Sequence, residues 1–309
     1  MRVIFLGSPA NVIAPLQGLL DSEHEVVAVV SQPAAMRGRG RKVLDPAVAE
    51  FAKEKGIEVL QPQKASDPEF LQRLRDLKPD VAITAAYGQI LNQEFLDIPK
   101  RATINIHPSL LPKHRGATPV QNTLLQGECR TGVSILFTVK ALDAGNLILQ
   151  SESEIENHET ALSLMNRLFD ESKSLLIAAL KKLEDLHFVG EPQNVDQVTH
   201  CTKIAKQDGK VDWGLSAQQI LNRYRAFQPW PGIYSFHGKK RIVLEEVELC
   251  DHDRRLEIGA AEMVAERLYI QCRESGLWVS RLKPEGKKSM ESRAYWNGAD
   301  QKNLFHGGE

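Results

Sequence analysis

Three polar residues in this chain combine types and spacing that could do chemistry. Asn105 and His107 alternate at the end of an apolar run, Ala102 to Ile106, and Asp143 sits in the turn Leu142-Asp143-Ala144-Gly145 further along. Alternate residues of a strand project from one face, so this amide and imidazole can address one small group together. Pro108 follows and restricts His107 to an extended conformation at the strand's end. Fixed donors at a strand end suit a carbonyl whose oxygen becomes negative during attack, and each such donor contributes about a hundred- to a thousandfold in rate. Asp143 could orient or charge the imidazole, or accept a proton through water. Spacing alone leaves the bland alternative open, a histidine merely satisfied at the end of a core strand. Other chemistries fit less well. His107 and His114 are split by a proline loop and His158-Glu159 lacks the second histidine of HExxH, so no metal pattern emerges. Ser109 has no flanking glycines of a nucleophile elbow, which disfavours a serine hydrolase.

The elements that must position these residues read as an α/β series. Val3 to Leu6 is a buried-strand run, Gly7-Ser8-Pro9 turns it into an amphipathic segment ending near Asp21, and Glu25 to Val30 is the next strand. This opening βαβ unit resembles a nucleotide fold, but Gly7 is followed by Ser8-Pro9-Ala10-Asn11, so the GxGxxG fingerprint of a nicotinamide site is missing. Asp45-Pro46 supplies an N-cap and first-turn proline for a helix with Gly56 as C-cap. A short strand follows at Glu58 to Leu60. Ser66-Asp67-Pro68-Glu69 is a capping box opening a helix through Leu77. Val81 to Ala85 and Ala102 to Ile106 continue the parallel series. Thr118-Pro119 caps a helix ending at Gly127, and Thr131 to Thr138 pairs with Gly145 to Ile155 as a hairpin. A long helical pattern runs from about Glu159 to Leu186. The segment 190–206 lacks periodicity and is expected to be a linker. Beyond a helix around Ser216 to Ala226, short strand-like runs separated by turns describe a small β-barrel.

The expected fold is therefore α/β: a Rossmann-like, mostly parallel sheet domain over 1–189, and an OB-like β-barrel domain over 207–309. Two domains suit the length of 309 residues, which exceeds what one core usually supports. The composition, 42% hydrophobic and 26% charged, is ordinary for a soluble globular protein. A net charge of −1 gives no global attraction to a polyanion, so such a partner must be met by local patches. Arg37-Gly38-Arg39-Gly40-Arg41-Lys42 is one, either a solvated loop or an arm for phosphates. The four cysteines are widely spaced without a CxxC pair, which fits a reducing cytosol. No apolar run is long enough to span a membrane, and a cytoplasmic monomer with no membrane partner is expected.

Several motifs in order carry a family resemblance. RVIFLGSP, GRGRK, AAYGQIL, NIHPSLLP with KHRGATPVQ, TGVSI, LDAG, KIAKQDGKVDW, RAFQPWPG and PEGKKSM together resemble the formyltransferases that use 10-formyltetrahydrofolate, over nearly the whole chain. The resemblance implies Asn105, His107 and Asp143 as the catalytic trio, and Ser109, Leu110, Leu111 and Pro112 as the segment contacting the folate. The donor would be 10-formyltetrahydrofolate, with no metal required, its pteridine in an apolar slot between Ala85 to Leu91 and the Ser109 to Pro112 loop. The acceptor would be the α-amino group of methionine esterified to initiator tRNA, whose acceptor end Arg39, with Arg41 and Lys42, would touch. Lys239, Lys240, Arg241, Lys283, Lys287 and Lys288 could track the tRNA backbone, and Trp230 reads as a packing anchor. Val139-Lys140, Asn146, Asn122 and Ala10-Asn11-Val12 depart from the family's usual residues, which leaves the acceptor pocket open. A formyltransferase acting on nucleotide-linked amino sugars is one rival. A non-catalytic RNA-binding module is another, and the polar trio speaks against it.

Overall fold

The computed structural model describes residues 1–37, 42–250, 252, 254–300 and 304–308, with Arg37 and Lys42 described by their backbone alone. The chain divides into two compact units. One comprises Met1–Pro119, Arg130–Ile155 and Leu164–Cys201; the other comprises Val120–Cys129, Glu156–Ser163 and Thr202–Glu309.

In chain order the elements are β1 (Arg2–Gly7), α1 (Ile13–Leu20), β2 (Glu25–Val30), β3 (Ala35–Arg37), β4 (Lys42–Leu44), α2 (Ala47–Glu54), β5 (Val59–Leu60), α3 (Pro68–Leu77), β6 (Val81–Ala85), α4 (Gln93–Leu96), β7 (Ala102–His107), β8 (Arg115–Gly116), α5 (Pro119–Gln126), β9 (Arg130–Phe137), β10 (Leu147–Glu154), α6 (Ala161–Lys182) and β11 (His200–Cys201). The first unit holds a seven-stranded sheet in the order β10-β9-β7-β6-β1-β2-β5. Strands β5, β2, β1, β6 and β7 run parallel, while β9 lies antiparallel to β7 and β10 antiparallel to β9. Strands covered on both faces read as continuous apolar runs, and Val81 to Ala85 is buried at every position. On α3, Phe70, Leu71 and Leu74 recur at helical spacing and join Ile4, Leu6, Val30, Ala82 and Phe95 in one core cluster. Along α6, Leu164, Leu168, Leu176 and Leu180 form a buried stripe. Gly18 of α1 lets α6 approach closely, since a Cβ there would stand 3.1 Å from the Lys173 side chain.

Two helix starts differ from the sequence expectation. Pro46 keeps an extended ψ of 145°, so α2 begins at Ala47, and Asp45 spends its carboxylate on Lys53 and Gln61 rather than on a cap. At α3 the cap is Asp67, which accepts from the amides of Glu69 and Phe70; the side chain nearest the proline-opened turn takes that role in place of Ser66. The segment expected as a basic loop contains the antiparallel pair β3 and β4. Within 190–206, Glu191 bridges Leu147 and β11 pairs in parallel with β8, so part of this stretch is tied into the first unit.

The second unit continues with α7 (Ala217–Ala226), β12 (Ile233–His237), β13 (Lys240–Cys250), β14 (Ala261–Val264), β15 (Arg267–Gln271), β16 (Gly276–Pro284), β17 (Met290–Glu291), α8 (Ser292–Trp296) and β18 (Phe305–His306). Its strands form an antiparallel OB-like barrel sheet in the order β14-β15-β16-β13-β12-β18, with β17 on β16. Ser216 and Gln219 close a capping box at α7. His237 anchors an aromatic cluster, stacked on Phe305 at 4.6 Å and bonded through Nδ1 to the Tyr295 hydroxyl at 2.8 Å. Trp230 is not a packing anchor: it is 58% exposed, and Phe227 from the same motif is the buried residue. The carbonyl of Phe227 accepts from Gly232 at 2.8 Å, so the intervening residues form an outward loop.

Candidate active site

Strand β7 lies between β6 and β9, with Asn105 opposite Thr84 on one side and Leu136 on the other, and His107 opposite Ser134. The carboxylate of Asp143 can only accept, so the Asn105 atom 3.3 Å from Asp143 Oδ1 is the amide nitrogen. Asn105 Oδ1 in turn accepts from the Thr84 hydroxyl at 2.7 Å. That bond fixes the amide's direction and leaves one N–H of Nδ2 without a protein partner among the described residues.

His107 is buried at 4% exposure. Its Nε2 lies 3.0 Å from the carbonyl oxygen of His114. A carbonyl only accepts, so Nε2 carries the proton and Nδ1 is the nitrogen left to gain or lose one. Nδ1 faces Asp143 Oδ2 at 3.7 Å, near enough for charge interaction but beyond a hydrogen bond. Burial holds the imidazole's pKa below its ordinary 6.5, opposed by Asp143 and by the bond to His114. The resting imidazole is thus neutral at pH 7. The orientation expected from Asp143 is supplied by the His114 carbonyl.

Asp143 adopts a left-handed φ of 51°. Its Oδ2 accepts from the Gly116 amide at 2.8 Å. Gln193 Nε2 donates to the carbonyls of Asp143 and Gly145, both at 2.8 Å. Gly145 is required by space, because a Cβ would run into the Phe137 carbonyl oxygen.

The loop after β7 is held from below. The Ser134 hydroxyl donates to Ser109 O at 2.6 Å and accepts from Leu111 N at 3.1 Å and from Gln150 Nε2 at 2.8 Å. Ser109 is fully buried, and its hydroxyl donates to Lys113 O at 2.9 Å, so its side chain is spent within the loop. Leu111 is buried, while Leu110 and Pro112 are half-buried. The Ala85 to Leu91 segment, expected as the other wall of the folate slot, turns sharply at Ala86 and Gly88, both at positive φ. Burial pushes the Tyr87 hydroxyl up to about 12, and Ile90 stands 92% exposed.

The structure therefore brings Asn105, His107 and Asp143 together beside the Ser109 to Pro112 loop. Arg39 and Arg41 lie outside the described residues, as does the side chain of Lys42. In the second unit, pairing of β13 with β16 brings Lys240 and Arg241 alongside Lys283, and Glu285 N bonds Arg241 O at 2.9 Å. Lys239, Lys287 and Lys288 are exposed in the flanking turns. Among the departing residues, Asn146 bonds Val189 O, and Ala10 and Asn11 line a concavity of about 510 Å³ with Ile13, Asn166 and Lys173. Thr84, Ser134, Gln193 and Thr199 were not legible as site residues. Each acts through a long-range hydrogen bond that no local pattern announces. Among the described residues no cluster of His, Cys, Asp or Glu could hold a metal ion, and no helix is long and apolar enough to cross a membrane.

A strand-end amide, a neutral imidazole with one open nitrogen and a buried carboxylate are groups that could serve transfer at a carbonyl carbon. Residues 1–180 match the formyl transferase family and residues 203–300 match its C-terminal domain, and the chain belongs to that family. The methionyl-tRNA formyltransferase of Caldanaerobacter subterraneus subsp. tengcongensis is 36% identical over 296 residues, 96% of each chain. That of Thermus thermophilus is 38% identical over 299 residues, again 96% of each. Among solved structures, the sugar 3N-formyl transferase WlaRD shares the fold with a TM-score of 0.68 at 16% identity, covering 93% of this chain and 99% of that one. HypX from Aquifex aeolicus, in complex with tetrahydrofolic acid, gives 0.63 at 18% identity, over 96% of this chain and 46% of HypX.

Proposed function

We propose that this chain transfers the formyl group of 10-formyltetrahydrofolate to the α-amino group of methionyl-initiator tRNA, giving N-formylmethionyl-tRNA. The observation that carries the acceptor is the identity of 35–39% to methionyl-tRNA formyltransferases across both units; the amino-sugar formyltransferases are similar at 16–17%.

The amine nitrogen attacks the formyl carbon and the carbonyl oxygen becomes an oxyanion. Asn105 Nδ2, whose second N–H is open, donates to that oxygen. His107 Nδ1 takes the amine proton and becomes an imidazolium beside Asp143, then returns the proton to the folate nitrogen as the old C–N bond breaks. A free α-amino group titrates near 7.7 to 8.0, so modest base assistance is enough at neutral pH. Leu110, Leu111 and Pro112 supply the apolar wall for the pteridine, with Ser109 shaping their loop, and Ile90 is free to cover the opposite side. Arg39, Arg41 and Lys42 contact the tRNA acceptor end, and the lysines around β13 and β16 follow its backbone. The catalytic domain is assigned to 1–189, the linker to 190–206 and the tRNA-binding barrel to 207–309. The chain works as a monomer in the cytoplasm, where its four free thiols would stay reduced.

The deciding experiment offers formylated folate with either methionyl-initiator tRNA or a nucleotide-linked amino sugar. Formylation of the aminoacyl-tRNA alone is expected. Formylation of the sugar alone would replace the proposed acceptor, and formylation of neither would end the proposal.

A further inference from the structure

We infer that Gln193 and Thr199, in the stretch that follows α6, are positioning residues for the transfer, because they fix the two backbone segments that set how His107 handles its proton. The inference rests on the transfer mechanism proposed above, yet half of its test needs no substrate.

The tautomer of His107 depends on one carbonyl, that of His114, and His114 sits at a left-handed φ of 60°. A non-glycine residue holds that conformation only where its surroundings impose it. Here the His114 amide donates to Thr199 Oγ1 at 2.8 Å. The Arg115 amide donates to Thr199 O at 2.9 Å, and Thr199 N reaches Pro112 O at 3.4 Å. Thr199 therefore spans the turn on both sides of His114 and holds the His114 carbonyl aimed at His107 Nε2. With Nε2–H so engaged, Nδ1 is the open nitrogen.

Gln193 does the corresponding work for Asp143. Its Nε2 donates to the carbonyls of Asp143 and Gly145, pinning the left-handed turn that carries the carboxylate. Its Oε1 accepts from Arg115 Nε at 3.0 Å and Nη2 at 2.7 Å. Arg115 adjoins both His114 and Gly116, the residue whose amide holds Asp143 Oδ2. One short stretch thus grips the turn that sets the imidazole's tautomer and the turn that sets its charged neighbour. Misplacing a catalytic group by about 1 Å costs on the order of a hundredfold.

The variants are chosen to keep shape. Thr199→Val removes only the hydroxyl acceptor and leaves the two backbone bonds, and Thr199→Ser restores it. Gln193→Glu keeps the acceptor for Arg115 but cannot donate to the two carbonyls. Imidazole ¹⁵N resonances of the free protein, labelled at histidine, report the tautomer of His107, and a His107→Gln spectrum assigns them. The wild-type chain should show the Nε2–H form; Thr199→Val should populate the Nδ1–H form and lower kcat about ten- to a hundredfold, with KM for the folate within about twofold. Thr199→Ser should recover both. Gln193→Glu should lower kcat by a similar factor without changing the tautomer. Wild-type kcat in either Thr199→Val or Gln193→Glu would overturn the role of that residue, as would a loss of kcat in Thr199→Val with the tautomer unchanged. A wild-type chain with no formyl transfer, but with the tautomer responding as described, would overturn the function and leave the positioning of His107 standing.

Discussion

Replacing Asp143 by Asn isolates what the buried charge contributes. The substitution keeps the size of the side chain, and Asn, like Asp, is among the few non-glycine residues that adopt a left-handed φ such as the 51° found here, so the turn should survive. Its oxygen can still accept from Gly116, but the amide group turned toward Asn105 Nδ2 places donor against donor. The larger loss falls on the reaction. When His107 takes the amine proton, its positive charge forms 3.7 Å from Asp143 Oδ2, between side chains only 5% and 7% exposed. At an effective dielectric constant of about 20, that attraction is about 4 kcal/mol. Each tenfold in rate corresponds to about 1.4 kcal/mol, which sets a ceiling of roughly a thousandfold, and partial rearrangement brings the expected loss to about a hundred- to a thousandfold in kcat. The pH profile gives an independent sign. Burial depresses the His107 pKa and Asp143 opposes it, so the variant's acid limb in kcat/KM should move to lower pH. Steady-state formylation of methionyl-initiator tRNA across pH 5 to 8 measures both quantities. A kcat within about tenfold of wild type, or an acid limb displaced upward, would refute the role given to Asp143.

Three further outcomes are expected. His107 has a folded-state pKa below its unfolded value of 6.5, so the stability it contributes is present above 6.5 and is lost as pH falls from there through the lowered folded-state pKa; urea denaturation at pH 7.5 and 5 should show a steeper decline for wild type than for His107→Gln, and equal declines would contradict the burial effect. Ser134→Ala removes the hub under the Ser109 to Pro112 loop, and should destabilise the fold by about 1–3 kcal/mol and raise KM for the folate more than it lowers kcat; an unchanged KM would separate that loop from folate binding. Neutralising Arg39, Arg41 and Lys42 together should weaken tRNA binding and flatten the plot of log K against log salt by roughly 0.7 to 0.9 per lost phosphate contact, while an unchanged slope would leave the loop merely solvated.

The parallel strands were legible because each is predominantly apolar and bounded by turn signals, and α3 because a proline and acids open it ahead of apolar residues at helical spacing. Asn105 and His107 were legible as a pair because alternation on a strand fixes their common face. The support of the site was not legible. Ser134 sits in a strand whose apolar neighbours conceal one functional hydroxyl, and Gln193 and Thr199 lie where no period exists to be read. Their partners are more than forty residues away in sequence, so only the folded chain joins them. The sequence left Asp143 to orient or charge the imidazole or to accept a proton through water, and could not show that the backbone carbonyl of His114 holds Nε2 while Asp143 stands 3.7 Å from Nδ1. Trp230, read from the sequence as a packing anchor, is exposed for a similar reason: the path of the loop, closed by the bond from Gly232 N to Phe227 O, turns it outward and leaves Phe227 as the buried aromatic residue.

On the proposed mechanism, His107 moves the proton when the amine attacks the formyl carbon. That step is tested most directly by a single turnover in which enzyme in excess over methionyl-initiator tRNA is mixed with 10-formyltetrahydrofolate and quenched, and formylmethionyl-tRNA is counted for wild type and His107→Gln. Formation of the product by wild type and a rate at least about a hundredfold lower in the variant, with tRNA binding unchanged, is the predicted result. Equal single-turnover rates would contradict it.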